Sequence, residues 1–151
     1  MTLVVDASVI VKWLLNDPQR EQETERATHL MQWIAEGREP AIQPPHWLLE
    51  VGAVLARISP DNAEEDLTML QALDLQIDDG PLVLRRACRL AIDLQQHLFD
   101  TLYHALALET PNATLITADE RYLRAGGKLG HIMHLADWKT EDAVPTDEDQ
   151  S

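Results

Sequence analysis

Short apolar segments alternate along the chain with longer segments in which apolar residues recur every three or four positions. The short segments predict strands at 2–7, 40–45, 74–78, 113–119 and 131–137. The longer segments predict helices at 8–17, 19–37, 45–59, 59–73, 80–97, 98–109 and 119–127. Strands separated by helices pair in parallel through crossovers, so the sequence predicts an α/β domain with three α/β/α layers and a central parallel sheet.

Residues that favour helix ends refine these bounds. Ser8 is predicted to cap the first helix, and Ser59 or Asp61 is predicted to cap the fourth. Pro45 suits the first turn of the third helix, where its missing N–H costs nothing. Gly37 suits the end of the second helix.

The composition indicates one folded domain followed by an acidic tail. With 151 residues, of which 45% are hydrophobic, the chain is long enough for a single core. We assign this domain to residues 1–138. Residues 139–151 carry five acids and one base, a net charge of −4, and we expect them to be disordered.

The charge of the chain limits its partners. The net charge is −14, so about −10 remains on residues 1–138 once the tail is set aside. Such an excess of acid argues against broad binding to nucleic acid or to anionic membranes. It leaves open a local basic patch, a bound cation or a basic protein partner.

No apolar run is long enough for a membrane span, and we expect neither a span nor a secretory signal. The single cysteine, Cys88, allows no internal disulfide and no cysteine metal cluster. We predict that it is a small core residue in a cytoplasmic protein.

Four acids are candidates for one site, and the predicted topology brings two of them together. Asp6 closes the first strand and Asp119 closes the strand at 113–119, and carboxyl ends of parallel strands open onto one edge of a sheet. Asp100 lies in the first turn of an apolar helix, and Glu50 is predicted to lie mid-helix among apolar neighbours.

Each acid also has a simpler explanation. Any of the three aspartates could cap the helix that it begins. Glu50 could be a surface residue that pairs with Arg57 or His46. Four separate explanations are needed in that case, whereas one divalent cation accounts for all four acids. Mg²⁺ and Mn²⁺ prefer oxygen ligands, and without a cation crowded carboxylates repel one another.

Four segments, taken in order, resemble a known family. LVVDASVIVKWLLND, WLLEVGAVL, FDTLYHALAL and LITADERYL together resemble the PIN-domain ribonucleases, most closely the VapC-type toxins of toxin–antitoxin pairs, from about Leu3 to Asp137. The resemblance implies a PIN-like fold and a Mg²⁺- or Mn²⁺-dependent endoribonuclease that inhibits translation. It implies that the metal and catalytic residues are Asp6, Glu50, Asp100 and Asp119, supported by Ser8 and Thr117. It also implies a cognate antitoxin protein and a homodimer.

Basic residues near the predicted site are candidates for contacts with RNA phosphates. Arg121 and Arg124 follow Asp119 at a spacing that shares a helical face, and Lys12 lies one to two turns after Asp6. Histidines offer an alternative metal site, but we expect them to be satisfied or exposed. Among them, His104 lies one turn from Asp100 and is expected to line the pocket.

Other functional classes fit the motifs less well. A phosphatase of the haloacid-dehalogenase type would need an aspartate at Ser8, and a receiver domain would need an acidic pair at the first strand. Dinucleotide binding would need a glycine-rich turn after the first strand. The remaining alternative is a PIN-like module that binds protein and keeps a vestigial or structural acidic site. A basic partner would suit its acidic core.

Overall fold

Five short strands and seven α-helices follow one another in the part of the chain that the computed structural model describes, residues 1–17, 19 and 23–140. The strands are β1 Thr2–Val5, β2 Ile42–Gln43, β3 Gln76–Ile77, β4 Ala113–Thr117 and β5 Ile132–His134. The helices are α1 Ala7–Leu15, α2 Thr24–Ala35, α3 Trp47–Ile58, α4 Ala63–Ala72, α5 Pro81–Leu94, α6 Leu98–Glu109 and α7 Glu120–Gly126. Each predicted strand and helix has a counterpart among these elements.

The strands form a parallel sheet whose centre is β1. Strands β1, β4 and β5 pair in parallel in that order, and β2 pairs in parallel with β3. An isolated parallel bridge between Leu3 and Ala41 joins β1 to the segment that leads into β2. Helix α6, backed by α5, and helix α1, backed by α2 and α3, pack against the sheet. The predicted three-layer α/β fold with a central parallel sheet is therefore confirmed.

A buried glutamine side chain completes the pairing at the end of β1. Gln43 is fully buried, and its Oε1 accepts a hydrogen bond from the Val5 N–H at 2.8 Å. Its Nε2 donates to the Val5 carbonyl, also at 2.8 Å. The side-chain amide thus takes the place of a neighbouring peptide unit, and it fixes the backbone immediately before Asp6.

The core lies between the sheet and the two helical layers. Every residue of β1 after Thr2 is buried, as expected for a strand covered on both faces. Residues Thr101–Ala107 of α6 are also buried throughout. Among the described residues, no helix has the length and apolar character needed to cross a membrane.

Several local predictions are wrong. Ser8 does not cap α1, because the helix already begins at Ala7. Pro45 precedes α3 by two residues, and α4 is preceded by Asn62 rather than capped by Ser59 or Asp61. Cys88 is exposed. The other side of α5 turns Val83, Ala87 and Leu90 into the core.

Two further predictions concern the ends of the second helix and of the chain. Helix α2 ends before Gly37, which has the positive φ of 71° that favours glycine. Positions 20–22 of the predicted helix lie outside the described residues. The predicted disordered tail lies outside them from position 141 onward, so the domain boundary at 138 stays a prediction.

Candidate metal centre

The site begins at the carboxyl ends of two neighbouring parallel strands. Val5 of β1 lies opposite Ile116 of β4, and the Asp6 N–H donates to the Ile116 carbonyl at 3.0 Å. Asp6 and Thr117 therefore follow the last paired residues side by side. This is the edge at which open parallel sheets bind ligands.

Two hydroxyl groups hold the Asp6 carboxylate. Ser8 Oγ donates to Asp6 Oδ2 at 2.6 Å, and Thr117 Oγ1 donates to the same oxygen at 3.1 Å. Ser8 Oγ also accepts from the Ala118 N–H at 3.0 Å. Thr117 Oγ1 also accepts from the Asp119 N–H at 3.0 Å. Each hydroxyl is thus oriented by the backbone after β4, and together they fix the direction of Asp6.

Ionisation of the Asp6 carboxyl group is unfavourable unless a positive charge lies beside it. The side chain is buried, with 8% of the residue exposed. The pKa of Asp6 is raised from 3.8 to about 6. Burial is the largest cause and the charges of Glu50 and Asp100 also raise it, while the hydrogen bonds from Ser8 and Thr117 hold it lower than it would otherwise be. A positive charge beside Asp6 would relieve this penalty.

Two more acids reach the same point from different helices. Carboxylate oxygens of Asp6, Glu50 and Asp100 all lie within 4.8 Å of one another. Asp100 lies in the first turn of α6, and the next residue, Thr101, anchors that turn by donating to the Ala87 carbonyl of α5 at 2.8 Å. The pKa of Asp100 is raised, first by burial and then by the charges of Glu50 and Asp119.

The position of Glu50 in its helix differs from the prediction. It lies in the first turn of α3 rather than mid-helix, because the helix begins at Trp47. Its Oε2 lies 3.3 Å from His46 Nε2, so the expected pairing with His46 is present alongside the acidic cluster. Oε2 is nevertheless buried and has no hydrogen-bond partner among the described residues.

Asp119 stands slightly apart from the other three acids. It lines the same cavity, but it is not a member of the close group. Its Oδ1 accepts from the Tyr122 N–H at 3.0 Å and caps α7. The simpler explanation, capping, therefore describes one oxygen of Asp119, and its role as a metal ligand stays a prediction.

The acids open into a cavity of about 350 Å³ that continues toward basic residues. Its lining includes Asp6, Ser8, Lys12, Glu50, Val54, Asp100 and Asp119. A second cavity, of about 410 Å³, shares Lys12 and Ala118 with the first and adds Arg124 and His134, along with Glu23 and Glu120. Arg121 is exposed on α7 and lines neither of these two cavities.

The donor set suits a divalent cation that prefers oxygen. Three carboxylates supply hard oxygen ligands, and the open cavity leaves room for the waters that Mg²⁺ and Mn²⁺ retain. The buried, unpartnered Glu50 Oε2 and the raised pKa of Asp6 are both what a site built around a cation would show without it. Among the described residues, no second group of acids, histidines or cysteines is so closely placed.

The histidines are satisfied or exposed, as expected, except that Nδ1 of the buried His46 has no hydrogen-bond partner among the described residues. His104 does not line the pocket. It is fully buried, its Nε2 donates to the Gly130 carbonyl at 2.8 Å, and its Nδ1 lies 2.9 Å from the Tyr122 hydroxyl. Burial lowers its pKa. Sequence reasoning gave Gln43 no role and named His46 only as a partner of Glu50, because the backbone atoms that they contact lie 38 and 53 residues away.

Fold and site together define an α/β protein with an acidic pocket at the carboxyl edge of its parallel sheet. The chain belongs to the PIN domain family, whose model matches residues 3–128. No curated protein matches the sequence. The chain is similar to a chain in the crystal structure of VapBC2 from Rickettsia felis bound to a DNA fragment from their promoter. That similarity has a TM-score of 0.63 and 14% identity, covers 89% of this chain and 97% of the other, and concerns the fold.

Proposed function

We propose that this protein is a divalent-metal-dependent endoribonuclease that hydrolyses RNA phosphodiester bonds, with Mg²⁺ or Mn²⁺ as its cofactor. The observation that carries the proposal is the convergence of three carboxylates, from β1, α3 and α6, to within 4.8 Å in a cavity open to solvent. Nuclease activity is general among PIN domains, so membership of that family supports the same reaction.

The residues divide the work of hydrolysis. Asp6, Glu50 and Asp100 hold the cation, with Asp119 at the cavity wall as the fourth acid. When bound, the cation lowers the pKa of a water and offsets the charge that develops on the phosphate. Ser8 and Thr117 keep Asp6 turned toward the cation. Glu50 completes the site or orients the attacking water, whose oxygen forms the new bond to phosphorus as the ester oxygen leaves.

The RNA strand must approach an acidic pocket, so nearby basic side chains contact its phosphates. Lys12 and Arg124 line the cavity that adjoins the acids, whereas Arg121, one turn earlier on the same helix, does not. We therefore expect Arg124→Ala to weaken RNA binding several-fold and Arg121→Ala to weaken it less. The measurement is RNA affinity of an inactive Asp100→Asn background at fixed salt. Equal losses in the two variants would remove Arg124 from this role.

We also propose a biological setting, the toxin of a VapBC-type pair that inhibits translation in the cytoplasm. The partners are an RNA substrate and a cognate antitoxin protein, and membranes are not among them. The similar fold in the VapBC2 structure supports this setting. A homodimer is part of the proposal, and exposed apolar side chains such as Leu82, Leu84 and Ile92 on α5 offer surface for association.

The decisive test is cleavage of purified RNA with defined ends mapped by sequencing. Wild-type protein should cleave with Mn²⁺ or Mg²⁺ and stop with EDTA. The cleavage rate of Asp6→Asn and of Asp100→Asn should be at least a hundredfold below that of wild type. The control Asp93→Asn, at an exposed position, should cleave at the wild-type rate. A wild type that cleaves equally in EDTA, or an Asp100→Asn variant as active as wild type, would overturn the assignment.

The alternative, a PIN-like module that binds protein through a vestigial acidic site, keeps one observation in its favour. The net charge of −14 suits a basic partner better than RNA. It predicts tight binding of a basic protein segment at the acidic cavity and no cleavage under any metal condition. Cleavage that depends on both metal and Asp100 would exclude it.

A further inference from the structure

His46 links the two helices that bring Glu50 and Asp100 together. It precedes α3 directly, is buried with 8% of the residue exposed, and does not line the acidic cavity. Its Nε2 lies 2.9 Å from the Phe99 carbonyl oxygen and 3.3 Å from Glu50 Oε2. One ring nitrogen therefore touches both the residue before Asp100 and the Glu50 carboxylate.

The contact with the Phe99 carbonyl shows that the ring donates through Nε2. Carbonyl oxygens only accept, so Nε2 carries the proton that bonds to Phe99 O. Nδ1 is buried without a hydrogen-bond partner among the described residues. The rings of Phe99 and Tyr103 lie 5.1 Å and 4.8 Å from the imidazole ring and hold its orientation.

This arrangement fixes a distance that the cation site needs. Glu50 and Asp100 stand in the first turns of α3 and α6, which begin far apart in the sequence. The contact of His46 with the Phe99 carbonyl sets the start of α6 against the start of α3. The same nitrogen lies 3.3 Å from Glu50 Oε2, a buried oxygen with no hydrogen-bond partner among the described residues.

We propose that His46 is a positioning residue that sets the separation of the Glu50 and Asp100 carboxylates, and through it the affinity of the site for its divalent cation. The inference rests on the proposed function, since it assigns His46 a role in the same site. His46 acts through Glu50 and the backbone before Asp100, and it touches neither the cation nor the RNA.

The test is Mn²⁺ affinity without RNA, measured from the electron paramagnetic resonance signal of free Mn²⁺, together with thermal unfolding in EDTA. His46→Leu keeps bulk but removes the donor, and it should weaken Mn²⁺ binding at least fivefold. His46→Gln places an amide nitrogen near the position of Nε2, so its affinity should stay within about twofold of wild type. His46→Asn reaches only to the position of Nδ1 and should behave like the leucine variant.

The outcomes separate this inference from the proposed function. If wild type binds Mn²⁺ and the leucine and asparagine variants bind it equally well, His46 does not position the site. A glutamine variant that loses as much affinity as the asparagine variant, at the same unfolding temperature, would also overturn the inference. A wild type that neither binds Mn²⁺ nor cleaves RNA would overturn the proposed function itself, and the inference with it.

Discussion

Replacing Asp6 by asparagine should make the metal-free protein more stable at neutral pH, although it should abolish activity. The carboxylate is buried beside two other acids, and its pKa stands at about 6 in the folded protein against 3.8 ordinarily. Such a group favours the folded state while it is protonated and opposes folding once it ionises. Asparagine removes the charge and leaves an oxygen that can still accept from Ser8 and Thr117.

The size of the effect follows from the two pKa values. A shift from 3.8 to about 6 disfavours the ionised form in the folded protein by about 3 kcal/mol. Because the pKa of Asp6 is higher in the folded protein, its contribution to the free energy of unfolding of the wild type is fully present below about pH 4. That contribution is lost as the pH rises through about 6. We expect the advantage of Asp6→Asn to grow by about 2 kcal/mol between pH 4 and pH 6 and by about 3 kcal/mol in all, because part of the change falls outside that window.

The assay is urea unfolding in EDTA at several pH values between 4 and 8. The free energy of unfolding of Asp6→Asn minus that of wild type should rise with pH up to about 6 to 7 and then level off. Asp93→Asn, an exposed change on α5, should give a difference that is flat within about 0.5 kcal/mol. A difference for Asp6→Asn that is equally flat, or that falls with pH, would refute the electrostatic reasoning.

Two further predictions concern the scaffold of the site. Gln43→Leu leaves the buried Val5 N–H and carbonyl without hydrogen-bond partners, so it should lower the free energy of unfolding by about 2–4 kcal/mol. The control, exposed Gln71→Leu, should change the free energy of unfolding by less than about 0.5 kcal/mol. Urea unfolding measures both variants. Gly126→Ala should cost about 1 kcal/mol in the same assay, because the new Cβ would lie 3.1 Å from Nδ1 of His104, whose ring is bonded at both nitrogens and cannot move aside. Equal stability of the Gln43 and Gln71 variants, or a stabilising Gly126→Ala, would contradict these two accounts.

The sequence was most informative where the alternation of strands and helices alone determines how the strands pair. Alternating strands and helices required a parallel sheet, and parallel strands place Asp6 and Asp119 at one edge. The approach of Asp100 and Glu50 to that edge was inferred from the single cation that would account for all four acids, and from the family resemblance. Periodicity alone does not give the distance between two helices that are far apart in the sequence.

At Ser8 and Asp119 the sequence leaves open a choice between local and distant partners. Ser8 has the composition of a cap, yet its hydroxyl donates to Asp6 and accepts from Ala118, 110 residues away. Asp119 has two oxygens, and one of them satisfies a local cap while the residue still faces the cavity. A short polar side chain makes either kind of contact equally well, so composition does not decide between them.

The account depends on a cation that binds among the Asp6, Glu50 and Asp100 carboxylates. The most direct measurement is a crystal of the wild-type protein grown with Mn²⁺, with the metal located by its anomalous scattering. The account predicts one strong peak within ligand distance of these three side chains, and its loss in Asp6→Asn. A well-ordered cavity without a peak at saturating Mn²⁺, or a peak bound only by residues elsewhere, would contradict it.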